Sequence, residues 1–467
     1  MRKIIFLFAI LTLAFSVVSA EKQKPNILFV FIDDMGYGDL TCYGNTVHDT
    51  PNIDRLAEEG IRFTQFYVNA PICSPSRVAV TTGQYPVRWG ISSFINDSNS
   101  NKKRGMKNFL DLQAPSLARN LHDAGYYTAH IGKWHMGGGR DVGDVPYITD
   151  YGFDESVTQF EGIGERYLAT YETLNLKDST RNLEKMSAAL GKGEIHWIKR
   201  ENCTETYVTR AIQAIERAQK RGKPFYVNLW PDDVHTPNEP PKELRGSGSR
   251  QDFYTGVIKE MDNQLERLFT YIQSNPELRE NTLIILTSDN GPAKNVGSPG
   301  VLSGHKGNLY EGGIREPLIV WGPSFVAKNK VGKTNSTTVI AGIDFPPSII
   351  QIAGAKTFEN EHFDGLDMSQ NLLGFEATKR EKPVMWQRPT GITQMNKKRD
   401  NPDLAIRDGD YKLLINIDGS NPELYNIVLD EREAGNIADQ YPEIVSKLTA
   451  KVLSWYAEMP QVLNENN

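Results

Sequence analysis

The chain is poor in cysteine: Cys42, Cys73 and Cys203 are the only three in 467 residues. That is too few for a disulfide framework. Cys42 and Cys203 have the option of pairing, but separation along the chain says nothing of proximity, and buried free thiols are the simpler expectation. An excess of positive charge is also missing. Lys and Arg number 52 against 58 Asp and Glu, a net charge of −6, so no overall cationic field marks nucleic acid or a membrane surface as a partner. An anionic substrate must then be caught by local groups. Long apolar runs are missing beyond the N-terminus. There, Met1-Arg2-Lys3 precedes an apolar run over residues 4–18 and the small pair Ser19-Ala20. A basic start, a short apolar core and a small-residue end read as a secretory signal peptide over residues 1–20. The run is short for a membrane span, which needs about 20 apolar residues, and no cysteine stands at the cleavage point to carry a lipid anchor. The expectation is an exported protein, periplasmic or secreted, that starts near Glu21 and has no membrane span. Internal repeats and low-complexity segments are absent too.

What is present is an alternation of short apolar runs with helical patterns, which argues for an α/β fold: a large, mostly parallel mixed sheet sandwiched by helices. The runs are Asn26–Ile32, Phe225–Trp230, 283–286 and 318–321. Between them, Thr50-Pro51 opens a helix that Gly60 ends, residues 115–124 form another stopped by Gly125, and 204–221 and 252–275 are longer amphipathic helices. The pattern changes near residue 375. Strand-like pieces at 383–387, 404–407, Tyr411–Ile415 and 423–425 precede a helix over Pro442–Glu458, with Ile444, Leu448, Val452 and Trp455 on one stripe. The division expected is a large domain over 21–375 and a smaller α+β unit over 376–467, a short antiparallel sheet with one helix.

Ligands of open α/β sheets bind beyond the carboxyl ends of the strands, and those ends carry chemistry here. The first run leads into Asp33-Asp34, the 283–286 run into Asp289-Asn290-Gly291, the Phe225–Trp230 run to His235-Thr236-Pro237, and residues 128–131 into Gly132-Lys133-Trp134-His135. Two acidic pairs after core strands suggest a hard-cation site of oxygen ligands; on spacing alone, solvated turn aspartates are an equal reading. In "PICSPSRVAVTTGQYP", residues 71–86, Ser74-Pro75-Ser76 reads as a helix start and Gly83 as its end. Cys73 then lies at the positive end of a helix dipole, where a thiolate or another anion is favoured. A buried cysteine ahead of a helix cap is the plainer alternative.

The run "CSPSRVAVTTG", Cys73 to Gly83, resembles the signature of the formylglycine-dependent type I sulfatase family, in the alkaline phosphatase-like superfamily, and the chain is similar to its secreted bacterial polysaccharide sulfatases. A second family pattern is "GYYTAHIGKWH", Gly125 to His135. The likeness continues through "FVFIDDMGYGDL", "DVHTP" at 233–237, "TSDNG" at 287–291, "GHKGNLYEGGIREP" at 304–317, and "AIRDGDYKLL" and "PELYNIVLDERE" in the tail. Ordered agreement of this kind is far more specific than one short motif. Thr81 departs from the pattern, where the family carries an apolar residue, and sits where it affects packing.

The resemblance implies that Cys73 is oxidised after synthesis by a formylglycine-generating enzyme, and that the aldehyde hydrate is the nucleophile. It implies a divalent ion, Ca2+ before Mg2+, held by Asp33, Asp34, Asp289 and Asn290 together with residue 73. Arg77 and Lys133 would hold the hydrate, and Lys306 and Lys133 the sulfate. His235 corresponds to the acid that protonates the leaving oxygen, and His135 to the base that expels sulfate and restores the aldehyde. A sulfate ester needs such a site because its negative sulfuryl group repels nucleophiles and a sugar alkoxide leaves poorly.

Residues 89–111 and 136–199 follow no family pattern and are where discrimination between substrates is expected. They hold Trp89, Arg104, Arg140, Asp141, Tyr147, Arg166 and His196, side chains suited to stacking on sugars or pairing with carboxylates. His305 beside Lys306, and Trp386, Gln387 and Arg388 from the smaller unit, are further candidates for the rim. His48, His122, His130 and His362 are read as structural. Two "NKKR" runs, at 101–104 and 396–399, are either solvated loops or grips on an anionic polymer, the first being the simpler. The expected activity is hydrolysis of sulfate from a sulfated oligo- or polysaccharide, an algal wall polymer or a glycosaminoglycan. The alternatives are an arylsulfatase, a phosphate or phosphonate ester hydrolase, or a catalytically silent sulfated-glycan binder with Cys73 unmodified.

Overall fold

The computed structural model describes residues 24–172, 182–389 and 402–460. The signal-peptide expectation over 1–20 and the second "NKKR" run lie outside these residues. Nine strands form the large sheet among the described residues: β1 (Asn26–Ile32), β2 (Ile61–Tyr67), β3 (Tyr127–Gly132), β4 (Glu155–Val157), β7 (Phe225–Trp230), β8 (Thr282–Ser288), β9 (Arg315–Trp321), β10 (Lys333–Asn335) and β11 (Ile340–Ala341). Their order is β10-β2-β9-β8-β1-β7-β3-β4, with β11 also pairing β2. From β8 to β4 every pairing is parallel, and β9 runs antiparallel to both β8 and β2. The sheet is therefore mixed and mostly parallel, as the uninterrupted apolar runs predict.

A strand covered on both faces needs apolar side chains at every position. In β1, Ile27, Phe29 and Phe31 face one core, and Leu28, Val30 and Ile32 face the other. The first core is closed by the helices Cys73–Thr82, Leu117–Asp123 and Phe345–Ala353, the second by Pro51–Glu58, Cys203–Lys220 and Arg250–Ser274. The helices Pro51–Glu58, Leu117–Asp123, Cys203–Lys220 and Arg250–Ser274 lie within two residues of those expected, while Phe345–Ala353 is not among the expected helices. β2 is a strand the apolar-run pattern does not reveal, because Arg62, Thr64 and Gln65 interrupt "IRFTQFY".

The smaller unit is an antiparallel sheet of β12 (Val384–Gln387), β13 (Leu404–Asp408), β14 (Tyr411–Ile415) and β15 (Glu423–Asn426) in sequential order. The helix Pro442–Glu458 buries Leu448, Val452 and Trp455 against it. Its core is continuous with the first core of the large sheet. A buried ion network reinforces that seam: Lys412 Nζ lies 2.9 Å from Glu311 Oε1 and 2.8 Å from Glu433 Oε1, all three side chains without solvent exposure. In the 136–199 segment, β5 (Arg166–Thr170) and β6 (Ile195–Lys199) form a separate two-stranded parallel sheet. Among the described residues no helix is long and apolar enough to cross a membrane, and all three cysteines are free thiols.

Candidate active site

The carboxyl ends of β1, β3, β7 and β8 bring their polar residues to one place. The ladder continues one residue past β1 and β8: Asp33 N–H donates to Pro231 O at 3.1 Å and Asp289 N–H to Ile32 O at 3.0 Å. At the end of β3 the backbone turns through Gly132 at φ +108°, where a Cβ would lie 2.1 Å from Trp230 O, so only glycine fits. The next residue, Lys133, donates its N–H to that same Trp230 O at 2.9 Å. Its side chain is thereby turned into the cluster.

Cys73 is the first residue of the helix Cys73–Thr82, one position further into it than the Ser74-Pro75-Ser76 pattern suggests, because extended Ile72 is the cap. Pro75 is tolerated there, since first-turn N–H groups have no intrahelical partner. Of the two readings, the structure bears out the plainer one, a buried cysteine. Burial pushes the Cys73 thiol up to about 12, against the pull of Lys133 and Lys306, so at neutral pH the side chain keeps its proton. Thr81 is buried on the same helix, consistent with packing.

Around Cys73 the charges interlock. Arg77, fully buried, places Nη2 2.7 Å from Asp289 Oδ2 and 3.4 Å from Asp33 Oδ1, and Nη1 donates to Lys133 O at 3.0 Å. Its guanidinium lies over the rings of Phe31 and Trp230, the more weakly hydrated cation in a dry setting. Lys133 Nζ is 2.7 Å from Asp33 Oδ2, and Lys306 Nζ is 2.5 Å from Asp34 Oδ1. Burial alone would raise Asp33, but Lys133, His235, Arg77 and Lys306 hold it well below the usual carboxylate range. Burial and the charge of Asp33 push Asp289 the other way, up to about 7.

His235 donates Nδ1–H to Thr236 O at 2.7 Å and turns Nε2 toward Asp34 Oδ2, 3.8 Å away. Burial, then Lys133, lowers its proton affinity. His135 has a positive φ of +54°, with Nε2 2.9 Å from Ile95 O and Nδ1 3.0 Å from Glu161 Oε2. Burial pushes it down to about 4.

The donor set fits a hard divalent ion. Ligand atoms of Asp33, Cys73 and Asp289, and of Asp34, Cys73 and His235, lie within 4.8 Å of one another. Asp33 Oδ1 and Asn290 Oδ1 are buried without a hydrogen-bond partner. Two orphaned oxygens beside three carboxylates call for a cation, and an ion there would also keep Asp289 charged.

The expected rim residues mostly do not converge here. Arg140 does: its Nη2 lies 2.9 Å from Glu161 Oε1, which reaches Lys133 and His135. His305 adjoins Lys306, with Nδ1 2.9 Å from Lys306 O. Arg166 is a correction. Its guanidinium is buried and donates to the carbonyls of Gly164, Ser187 and Gly191, where it braces the turns around β5. Trp386 is another, fully buried with its indole donating to Val68 O at 2.7 Å across the seam between the sheets. Trp89 follows the far end of the Cys73 helix, about 15 Å along its axis at 1.5 Å per residue. It donates to Gln84 Oε1 at 3.0 Å and lines a separate cavity of about 580 Å³ with Arg88, Arg119 and His362. Arg104 stacks on Phe94 at 4.6 Å and bonds within its own loop. Asp141 caps Ser98 N–H, Tyr147 is exposed, His196 faces Glu165 and Glu194, Arg388 pairs with Asp403, and Gln387 lines a small recess with Pro75 and Tyr85. His130, packed among Trp134, Phe153 and Trp230 and pushed down to about 3 by burial, is structural. His48, buried and bonded to Asp39 O, serves packing; His362 is exposed and meets Gln84, and His122 faces Asp123 and Asp154.

Glu161 is the site neighbour that sequence reasoning misses. It lies in a segment without a family pattern, and its partners stand 21 to 28 residues away in sequence.

Comparison with known proteins points one way. A family model described as Sulfatase matches residues 25–355. The chain is 33% identical over 387 residues to arylsulfatase A of Bos taurus, covering 78% of this chain and 71% of that protein. It is 28% identical over 503 residues to the N-acetylgalactosamine-6-O-sulfatase of Bacteroides thetaiotaomicron, covering 92% of each. The crystal structure of Ps i-CgsB matches with a TM-score of 0.77 at 26% identity over 94% of both chains. Its complex with k-i-k-neocarrahexaose gives 0.76 at 25% identity.

Proposed function

The chain belongs to the sulfatase family, and on that premise we propose that it hydrolyses sulfate esters of a carbohydrate with residue 73 as the nucleophile. The observation that carries the reading is the convergence of Arg77, Lys133, Lys306 and His235 on Cys73 beside three carboxylates, with His135 joined to the cluster through Glu161 and Lys133. Arg77, Lys133 and Lys306 balance Asp33, Asp34 and Asp289 in charge, so a bound divalent ion leaves the pocket positive, suited to a sulfuryl group. Asp33, Asp34, Asp289 and Asn290 would hold the ion, calcium by its oxygen ligands. Bound there, it would polarise a sulfuryl oxygen and acidify the nucleophile.

Unmodified, Cys73 is a protonated thiol and a weak nucleophile; conversion to formylglycine by a maturation enzyme would supply a geminal diol in its place. Lys133 and Lys306 screen the sulfuryl charge from the incoming oxygen. His235, its Nδ1–H fixed on Thr236 O, presents Nε2 as the atom that hands a proton to the leaving sugar oxygen. His135 is assigned the proton whose loss releases sulfate.

Carbohydrate is the favoured substrate class because the named relatives include an N-acetylgalactosamine-6-O-sulfatase and a protein seen with neocarrahexaose. Polar groups such as Arg140 and His305 flank the pocket rather than an apolar slot. The basic, apolar N-terminus supports export to a periplasm or beyond. Residues 24–375 would form the catalytic unit, with 376–460 as its buttress. Free sulfate release from a panel of sulfated oligosaccharides, small aryl sulfates and phosphate esters, with calcium and after exhaustive chelation, tests the reading. Sugars are expected to lead in calcium and to fail without it. Faster turnover of aryl sulfates or phosphate esters than of every sugar, or full activity without metal, would overturn it.

A further inference from the structure

The Glu161 carboxylate is 5% exposed and touches three cationic or basic side chains at once. Oε2 lies 3.0 Å from His135 Nδ1 and 3.3 Å from Lys133 Nζ, and Oε1 lies 2.9 Å from Arg140 Nη2. Its backbone carbonyl also accepts from His135 N–H at 3.0 Å. The two segments involved are zipped together by close backbone approach. At Gly139, with φ +83°, a Cβ would fall 2.3 Å from Phe160 O, so the glycine lets residues 160–161 lie directly against 135–140.

We propose that Glu161 is a positioning residue that orients His135 and Lys133 for the reaction and stabilises the imidazolium that His135 becomes. Nε2 faces the Ile95 carbonyl at 2.9 Å, which only accepts, so the neutral ring carries its proton on Nε2 and its lone pair on Nδ1, 3.0 Å from Glu161 Oε2. When Nδ1 gains a proton, Glu161 Oε2 is placed to accept from it, and the Glu161 charge offsets the new positive charge. Burial opposes the protonated ring, as do Lys133 and Arg140, and Glu161 is the carboxylate that works against them. Arg140 closes the far side of Glu161 and keeps it ionised together with His135 and Lys133.

The inference rests on the proposed roles of His135 and Lys133, and a double-mutant cycle separates the two. Glu161→Gln keeps the shape and removes the charge. In the wild-type background we expect kcat to fall about 10–100-fold, KM to stay within a few-fold, and the acidic limb of the kcat–pH profile to move to lower pH. In the His135→Ala background the same change should cost at least tenfold less, because the group it acts through is gone. Equal losses in both backgrounds, or an unshifted limb, would mean that Glu161 only supports the fold and would overturn the inference. Thermal melts accompany each variant, and Glu161→Asp, which keeps the charge on a shorter arm, runs the same cycle if Glu161→Gln unfolds. Wild-type turnover in this assay reports on the underlying reading; the ratio of the two costs reports on Glu161.

Discussion

At the scale of single residues, the two histidines of the pocket are held in opposite senses. His235 faces its backbone partner with Nδ1 and the cluster with Nε2; His135 has acceptors on both nitrogens. The first suits a donor to a leaving group, and that role has a measurable signature. A poor leaving group needs the proton, whereas an acidic phenol does not. His235→Ala is therefore expected to cut kcat for a sugar sulfate by about 10²–10⁴-fold and to cost much less for an aryl sulfate with an acidic phenol. Equal losses on both esters would remove His235 from the acid's place. Since burial and Lys133 lower its proton affinity, the His235-dependent part of sugar turnover should decline as pH rises toward neutrality, the direction in which the acid form is lost.

At the scale of elements, β14 does more than complete the small sheet. It carries Lys412 into a dry gap between Glu311, just after the Lys306 loop, and Glu433. Removing one partner of a buried charge set leaves the others uncompensated, at about 3–5 kcal/mol. Lys412→Met should lower unfolding stability by that order, read in denaturant melts, while Lys379→Met at the exposed Lys379–Asp410 pair should change nothing measurable. Comparable melts for the two variants would show that the seam is held by apolar packing alone. None of this network is legible in the sequence, where Lys412 reads as an ordinary strand charge.

The strands and the site separate for a physical reason. Asp33, His235 and Asp289 could be placed in advance because each follows an uninterrupted apolar run whose end must open on the same sheet edge. β2 could not, since its polar positions break the run. Composition names side chains able to stack on sugars but not where they point. Arg166 and Trp386 have the right chemistry, yet both are buried on backbone carbonyls. Glu161 is illegible for the converse reason, being an ordinary glutamate until the glycine-lined contact brings it to His135.

At the scale of the whole molecule, the two cores and the small sheet serve one end: they hold strand ends, the Cys73 helix and the Lys306 loop in fixed relation around a single side chain. The proposed chemistry turns on residue 73 not remaining a thiol, since a thiol that burial pushes up to about 12 is a weak nucleophile. The direct measurement is the mass of the peptide containing residue 73, from protein purified with its maturation enzyme and shown to release sulfate. The account predicts a peptide about 18 Da lighter than the cysteine form, as conversion of the thiol to an aldehyde requires, in a fraction that scales with specific activity. Active protein in which Cys73 is wholly an unmodified thiol would contradict it.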